Sequence, residues 1–450
     1  MKKRIMALLM AGVMVCSMAA CGQKAGNEGD SKDGAPKKAD SISVTTTFAG
    51  EDGNAKNYKD ACKAFTEKTG IAIKDSSATS DKTFKSRVAT DFETGSEPDV
   101  LFFFTGADAS SFIEQDKVVP LDEIREKYPD YAGNMDDGKL PGNLVNDKNY
   151  VVPVNGYWEG LFCNKAVLDK AGVAVPGADY TWDQFLQDCE KIKKAGYTPI
   201  AASLGEIPHY WWEYSIFNNT TLATHTQIPA SVTEGNGPAW VQGMEDIKAL
   251  YEAGYFPKNT VSAKDSETFA MFTEDKAAFL IDGSWKVGGI IAACQSDPED
   301  AATLDQKKLD KFTVTYVPAK ADSDRKATDL IGGISSGYYI TRKAWDDDAK
   351  REAAVEFVKF MTTDEMVGKF AQHSATALKE APKVENVASL QTIAIEMTSK
   401  TTSFTDAAQD VFNGDCRVST FDGMANIVTG KVSAKDAVAE GLKAYAEQQK

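Results

Sequence analysis

Strand-like and helix-like segments alternate along most of this chain, and that alternation restricts the fold more than any other feature. Ser41 to Phe48 is typical of a strand, apolar residues from Tyr58 to Phe65 recur at helical spacing, and Ile71 to Lys74 is again strand-like. After a further helical pattern, Asp99 to Phe104 has the apolar run of a strand buried on both faces. The order predicts a parallel sheet covered by helices.

The same alternation begins again after Val154. Thr181 and Gln184 are spaced to form a capping box at the start of a helix. Ala277 to Ile281 is predicted to be a buried strand, and Ser284 is predicted to cap the helix that follows it. Two α/β units in a chain of 450 residues predict two lobes with a crevice between them.

The N-terminus has the pattern of an export signal. Basic residues at positions 2–4 precede an apolar run over 5–18 that is short for a permanent membrane span. Ala19 and Ala20 then stand before Cys21, which resembles a bacterial lipobox. We therefore expect a signal peptide over residues 1–20 and a lipid on Cys21, which would become the mature N-terminus; an ordinary secreted chain is the alternative.

Residues 21–40 are predicted to be a flexible tether. They contain no Val, Ile, Leu or aromatic residue, so they cannot bury a core. A coil of roughly 20 residues reaches roughly 25 Å on average. That length suffices to hold a globular body just off a membrane, and two or more acyl chains would be needed to anchor it stably.

Charge, cysteines and histidines exclude several classes of function. The net charge of −16 argues against nucleic acid and against anionic lipid as partners. The cysteines after Cys21 show no metal spacing, which predicts buried free thiols, with one disulfide as the alternative. The three histidines also lack ligand spacing, and no nucleotide-binding loop occurs, so we predict no metal and no cofactor.

Several motifs occur in the order found in one known family. The longest begins with Val151-Val-Pro-Val-Asn-Gly-Tyr-Trp-Glu-Gly-Leu-Phe-Cys-Asn-Lys and is followed by Thr181-Trp-Asp-Gln-Phe. The others are Glu97-Pro-Asp-Val, Ala195-Gly-Tyr-Thr-Pro-Ile, Ala277-Ala-Phe-Leu-Ile-Asp-Gly-Ser-Trp, Gly332-Gly-Ile-Ser-Ser-Gly and Ala353-Ala-Val-Glu-Phe-Val-Lys-Phe-Met. With these motifs the chain resembles the extracellular solute-binding proteins of family 1, the maltose-binding-protein-like group, over essentially all of its length after the tether.

The resemblance implies a two-lobed periplasmic-binding-protein-like (type II) fold, in which each lobe is a mainly parallel sheet flanked by helices and the ligand lies in the interlobe cleft. The chain would cross between lobes near residues 155–158, 331–334 and 390–396. Lobe 1 would then comprise residues 41–155 and about 333–395, and lobe 2 residues 156–332 and about 396–450.

Candidate ligand contacts come from loops at the carboxyl ends of strands, where ligands bind in open parallel sheets. These loops are residues 49–53, 105–108, 203–212 and 282–285. A sugar needs carboxylates for its hydroxyl groups and aromatic rings for its C–H faces. Trp285 matches the family's ligand-stacking tryptophan, and one of Trp211 and Trp212 is expected to stack on ligand while the other is core. The remaining candidates are His209, Trp158, Glu159, Glu51, Asp52, Asp108 and Asp282.

The predicted function is therefore that of a lipid-anchored binding component of an ABC importer, which binds a carbohydrate, expected to be an oligosaccharide, and delivers it to the permease subunits. We expect a monomer on the extracytoplasmic face of the cell membrane of a Gram-positive-type bacterium. Alternatives are a non-sugar solute on the same scaffold and an extracellular glycoside hydrolase. A nucleophile at Ser335, within a G-x-S-x-G match, is disfavoured because the following residues read as extended chain.

Overall fold

The computed structural model describes residues 38–450, except residues 51, 81, 208, 299, 372, 373, 381–387, 413, 449 and 450 and the side chains of residues 82, 209 and 415. The predicted signal peptide, Cys21 and Glu51 lie outside the described residues. The strands are β1 (Ser41–Thr45), β2 (Ala72–Asp75), β3 (Val100–Phe104), β4 (Tyr157–Asn164), β5 (Thr198–Ile200), β6 (Ala277–Gly283), β7 (Phe312–Thr315), β8 (Asp329–Gly333), β9 (Ser336–Ile340) and β10 (Ser403–Thr405).

Helices connect and cover these strands. The α-helices are α1 (Ala55–Thr69), α2 (Lys82–Thr94), α3 (Ser110–Glu114), α4 (Leu121–Lys127), α5 (Lys165–Lys170), α6 (Trp182–Lys194), α7 (His209–Phe217), α8 (Gly237–Glu252), α9 (Asp265–Thr273), α10 (Lys286–Ala293), α11 (Gln306–Leu309), α12 (Arg342–Asp346), α13 (Asp348–Met361), α14 (Asp364–Ala371), α15 (Ser389–Ser399), α16 (Gly414–Arg417), α17 (Met424–Val428) and α18 (Ala434–Gln448). Short 3₁₀ helices lie at Gly106–Asp108, Asp137–Lys139, Ala301–Thr303 and Ala408–Asp410.

The strands form two sheets, which confirms the predicted α/β class. The first has the order β2-β1-β3-β9, and β1 runs parallel to both β2 and β3, as the alternating pattern predicts. The second has the order β10-β8-β4-β6-β5, with β7 also paired to β4. It is mixed rather than mainly parallel, because its central strand β4 runs antiparallel to β6, β7 and β8.

Each sheet has its own apolar core. Side chains of β1, β3 and β9 pack against α1 and α13 around the first sheet, and those of β4 and β6 pack against α6, α7 and α8 around the second. β9 returns from the second sheet to pair antiparallel with β3, with Val100 opposite Ile340. Leu378 packs in the core of the first sheet, whereas Leu390 packs with Leu280 and Val314 in a further apolar cluster on the second sheet, so the chain has passed between the sheets before residue 390.

Local sequence signals account for several helix ends. Thr181 and Gln184 form the predicted capping box at α6. The prediction for Ser284 is wrong, since Trp285 is the N-cap of α10 and makes no capping hydrogen bond through its side chain. The reason is that β6 extends to Gly283, two residues beyond its predicted end, so the turn into the helix comes later.

Two further sequence predictions concern the cysteines and Ser335. The described cysteines are free thiols, as predicted: Cys62, Cys163, Cys189, Cys294 and Cys416. Ser335 lies between β8 and β9, so an extended strand follows it instead of the helix of a nucleophile elbow. Among the described residues, no helix is both long and apolar enough to cross a bilayer.

Candidate functional site

A cleft of about 1370 Å³ lies between the two sheets, and both contribute to its lining. All four predicted segments line it: the loop after β1 through Asp52, the loop after β3 through Asp108, the loop after β5 through Glu206, and the turn after β6 through Trp285. The start of β4 forms part of the lining through Tyr157 and Glu159. The cleft therefore stands beyond the carboxyl ends of β1, β3, β5 and β6, where ligands bind in open α/β sheets.

Trp285 provides an aromatic surface in this cleft. It lies two residues after the end of β6, and its ring lies against the backbone of Gly283, where a Cβ atom would overlap the ring. The ring of Tyr210 lies 5.7 Å from that of Trp285 between centroids, at 47°. Trp285 is partly buried, so the two rings form an aromatic wall against which the C–H face of a ligand can pack.

Trp211 and Trp212 both lie in the core of the second lobe and do not line the cleft. Trp211 is 2% exposed and packs on Phe185 and Phe256, with ring centroids 6.2 and 5.6 Å away. Trp212 is fully buried, and its Nε1 donates a hydrogen bond of 3.1 Å to the carbonyl oxygen of Trp240. The expectation that one of the pair lines the ligand site is corrected, because α7 is packed on nearly all sides.

Strand alternation separates Trp158 from its neighbours. Tyr157 and Glu159 are on one face of β4 and line the cleft, whereas Trp158 is on the other face, 1% exposed and stacked on Phe162 at 5.9 Å. Trp158 is thus a core residue and not a cleft contact. The prediction that both Trp158 and Glu159 contact the ligand is wrong for Trp158, because successive residues of a strand point to opposite faces.

Glu159 is the most deeply buried of the predicted candidates that line the cleft. Its side chain is 1% exposed, and its Oε2 has no hydrogen-bond partner. Burial, followed by repulsion from Glu213, Asp282 and Asp410, raises the pKa of Glu159 well above its ordinary value. Glu159 is therefore an acceptor in the cleft wall that the protein itself does not satisfy.

Asp410 is a cleft residue that sequence reasoning missed. The carboxylate of Glu213 accepts hydrogen bonds from the backbone amides of Ala408 (2.7 Å) and Gln409 (2.9 Å), which fixes the 3₁₀ helix that carries Asp410 into the cleft. The Tyr157 hydroxyl donates to Asp410 Oδ2 at 3.4 Å. Burial raises the pKa of Asp410 to about 7. Tyr157 was also missed, although the alternation in β4 that includes Glu159 would have indicated it.

Asp108 lies in the cleft lining, but cations already neutralise it. Lys85 Nζ lies 2.8 Å from Asp108 Oδ2, and the guanidinium of Arg417 pairs with its other oxygen. Burial alone would raise the pKa of Asp108, but Arg417 and Lys85 hold it below its ordinary value. Since Arg417 belongs to the C-terminal segment that packs on the second lobe, this ion pair links the two lobes across the cleft.

Asp282 lies beneath the lining. It is fully buried, its Oδ1 accepts a hydrogen bond of 2.7 Å from the Gly283 amide, and Lys286 Nζ lies 3.8 Å from its Oδ2. Lys286 pairs more closely, at 2.5 Å, with Asp265. Burial raises the pKa of Asp282 to about 7, although Lys286 lowers it. Asp282 consequently shapes the charge of the site without reaching the cleft surface.

Asp52 lines the cleft from the first lobe. Its Oδ1 accepts a hydrogen bond of 2.7 Å from the Asn54 amide, and burial raises its pKa to about 7. The neighbouring Gly53 amide donates to the carbonyl oxygen of Trp285 at 3.2 Å, which is a second direct contact between the lobes. His209 begins α7, but its side chain is not described.

The site thus combines carboxylates, aromatic rings that include Trp285 and Tyr210, and a few lysine and arginine cations in one interlobe cleft. The described residues include no group of three or more His, Cys, Asp or Glu side chains placed to hold a metal ion. Carboxylates that accept hydroxyl protons and rings that cover C–H faces are the groups that bind sugars.

Comparisons with curated proteins agree with this arrangement. A multiple sugar-binding protein of Streptococcus mutans is 24% identical over 233 residues, which is 50% of this chain and 50% of that protein. The melibiose/raffinose/stachyose-binding protein MelE of Bacillus subtilis is 22% identical over 261 residues, 52% of this chain and 54% of that protein. The matched segments span about half the length of these relatives.

Solved structures share the fold over nearly the whole chain. A chitin oligosaccharide binding protein matches with a TM-score of 0.74 and 21% identity, covering 90% of this chain and 98% of the other. RafE in complex with raffinose matches with a TM-score of 0.67 and 18% identity, covering 90% and 98%. Residues 51–367 match the family model of the bacterial extracellular solute-binding proteins. The chain belongs to that family.

Proposed function

We propose that this protein is the substrate-binding component of an ABC importer and that its ligand is a carbohydrate, an oligosaccharide rather than a single sugar. The observation that carries the proposal is the cleft itself, whose lining contains Trp285, Tyr210 and Glu159, and Glu159 Oε2 has no hydrogen-bond partner. Family membership and the sugar-binding relatives support the same ligand class.

The size of the cleft supports a ligand of several rings. Its volume of about 1370 Å³ exceeds the roughly 300–1,000 Å³ typical of pockets for drug-sized molecules. Both lobes line it, so a ligand that touches both favours the arrangement in which they are close together. Closure of the lobes also supports delivery to a permease, because the closed pair of lobes presents a different surface from the open one.

The anchor is part of the same proposal and rests on the sequence. A lipid on Cys21 and the tether that follows it would keep the binding lobes at the extracytoplasmic face of the membrane, within reach of the permease. The family is extracellular, which suits a chain that begins with an export pattern.

A thermal-shift panel of mono- and oligosaccharides tests the proposal. A ligand that binds only the folded state raises the melting temperature in proportion to the logarithm of its concentration over Kd. Sorbitol at the same concentrations controls for general stabilisation by polyols. We expect a saturable shift with at least one oligosaccharide and none with sorbitol, and calorimetry should then give one site per chain.

The alternatives predict different results. A shift with peptides or polyamines and with no carbohydrate would indicate a non-sugar solute on this scaffold. Prolonged incubation with the best sugar should leave it intact by chromatography, and shortened products would indicate a hydrolase.

A further inference from the structure

Negative charge predominates in the cleft. Among the described residues of its lining, acidic side chains outnumber basic ones two to one. Three of the four cations in the lining are already paired, Lys85 and Arg417 with Asp108 and Lys286 with Asp265. The fourth, Lys264, is exposed. No ion pair within the described residues reaches Glu159 or Asp410.

Glu159 is surrounded by several of these acidic side chains. Its Oε2 has no hydrogen-bond partner although the side chain is 1% exposed, and the carboxylates of Asp410, Glu213 and Asp282 all repel it. A buried charge without a partner is costly, so in the free protein the carboxyl holds a proton more tightly than usual. A ligand that supplies positive charge at this point removes that cost.

The chemistry of the oxygens indicates which kind of positive charge fits. The described side chains do not converge in a metal-binding group. Ionised carboxylates only accept hydrogen bonds, and an ammonium group only donates them, with three N–H bonds. The Tyr157 hydroxyl donates to Asp410 and so orients that carboxylate, whereas Glu159 Oε2 has no hydrogen-bond partner.

We propose that the Glu159 end of the cleft binds an ammonium group carried by the ligand, so that the preferred carbohydrate is an amino sugar or an oligosaccharide containing one. This proposal rests on the function proposed above. The ammonium lies between Glu159 and Asp410, where charge-assisted hydrogen bonds replace the proton of the free protein. The adjacent rings of Tyr210 and Trp285 add a surface that attracts cations.

The test compares sugars that differ in a single substituent. Glucosamine, glucose and N-acetylglucosamine, and their β-1,4-linked oligomers, carry an ammonium, a hydroxyl and an acetamide at the same carbon. Isothermal titration at pH 6.5 measures each with the wild type, with Glu159→Gln and with Glu114→Gln. Glu114 is an exposed acidic residue at the same cleft, so its variant has the same net charge as the first.

We expect the wild type to bind the ammonium form at least about tenfold more tightly than the hydroxyl and acetamide forms. Glu159→Gln should abolish that preference, and Glu114→Gln should retain it. Should Glu159→Gln not fold, salt provides the test: raising NaCl from about 20 to about 500 mM should weaken binding of the ammonium form alone.

Three results overturn the proposal. The neutral forms bind as tightly as the ammonium form, or Glu159→Gln keeps the preference, or the series does not bind while another neutral sugar does. In each of these cases carbohydrate binding itself stands. If no carbohydrate binds at all, the proposed function fails and this inference fails with it.

Discussion

Replacing Trp285 with alanine separates a ligand contact from a core residue. One side of the Trp285 ring rests on Gly283 and the tilted ring of Tyr210 lies 5.7 Å away, so a ligand can cover only the face that remains. Covering about 70 Å² of that face would contribute about 2 kcal/mol at roughly 25 cal/mol per Å². Aromatic packing adds about 0.5–1.5 kcal/mol.

A loss of about 2.5–3.5 kcal/mol corresponds to an affinity reduced roughly 70- to 400-fold. We expect a smaller effect on folding, about 1–2 kcal/mol, because the side chain is only partly buried. Trp212→Ala is the matched control, since that indole is fully buried. It should cost about 3–5 kcal/mol in unfolding free energy and leave the affinity of the folded fraction nearly unchanged.

Calorimetry with the best sugar gives the affinities, and urea unfolding gives the free energies of unfolding. Wild-type affinity in Trp285→Ala would refute the assignment of this ring to the ligand. The assignment would also be refuted if Trp285→Ala lost as much free energy of unfolding as Trp212→Ala and still bound the sugar.

Three further predictions concern pH, closure and anchoring. The pKa of Glu159 is raised in the folded protein, so its contribution to stability is complete below the unfolded value near 4.5 and is lost as the pH rises through the folded value. The melting temperature of the free protein should therefore fall from pH 5 to pH 8, and Glu159→Gln should reduce that fall. An identical dependence of melting temperature on pH in the wild type and the variant would contradict this prediction. Saturating sugar should decrease the radius of gyration in small-angle scattering. Arg417→Ala, which breaks the interlobe pair with Asp108, should weaken sugar binding about tenfold and reduce this decrease. If the variant keeps the wild-type affinity and the wild-type decrease in radius, the ion pair does not stabilise the closed lobes. Cys21→Ala should shift the protein from the membrane fraction to the medium or leave an unprocessed precursor, and unchanged partitioning into detergent would exclude the lipid anchor.

The secondary structure follows closely from local sequence. The capping box of Thr181 and Gln184 forms as predicted, because capping depends on residues only three positions apart. The buried strand predicted at Ala277–Ile281 is also present, as β6. Such features depend on backbone geometry over one or two turns, and the sequence contains all of that information.

The orientation of the aromatic candidates could not be predicted from local sequence. Trp211, Trp212 and Tyr210 are adjacent in α7, and only Tyr210 reaches the cleft. The sequence places an aromatic cluster near the end of a strand, but the direction of each ring depends on how the helix is rotated against its neighbours. For Trp158 the sequence was sufficient, because strand alternation places it on the face of β4 opposite to Tyr157 and Glu159, away from the cleft.

By itself, the sequence determined the α/β class, the two lobes and the position of the cleft at the carboxyl ends of strands, since these depend on periodicity and chain order. Only the tertiary structure placed Asp410 beside Tyr157, some 250 residues earlier in the chain, and joined Arg417 to Asp108 across the cleft. Charge balance in the cleft depends on such long-range neighbours. An unpartnered carboxylate such as Glu159 becomes visible only when every group that surrounds it is known, because burial and the distance to other charges set its energy.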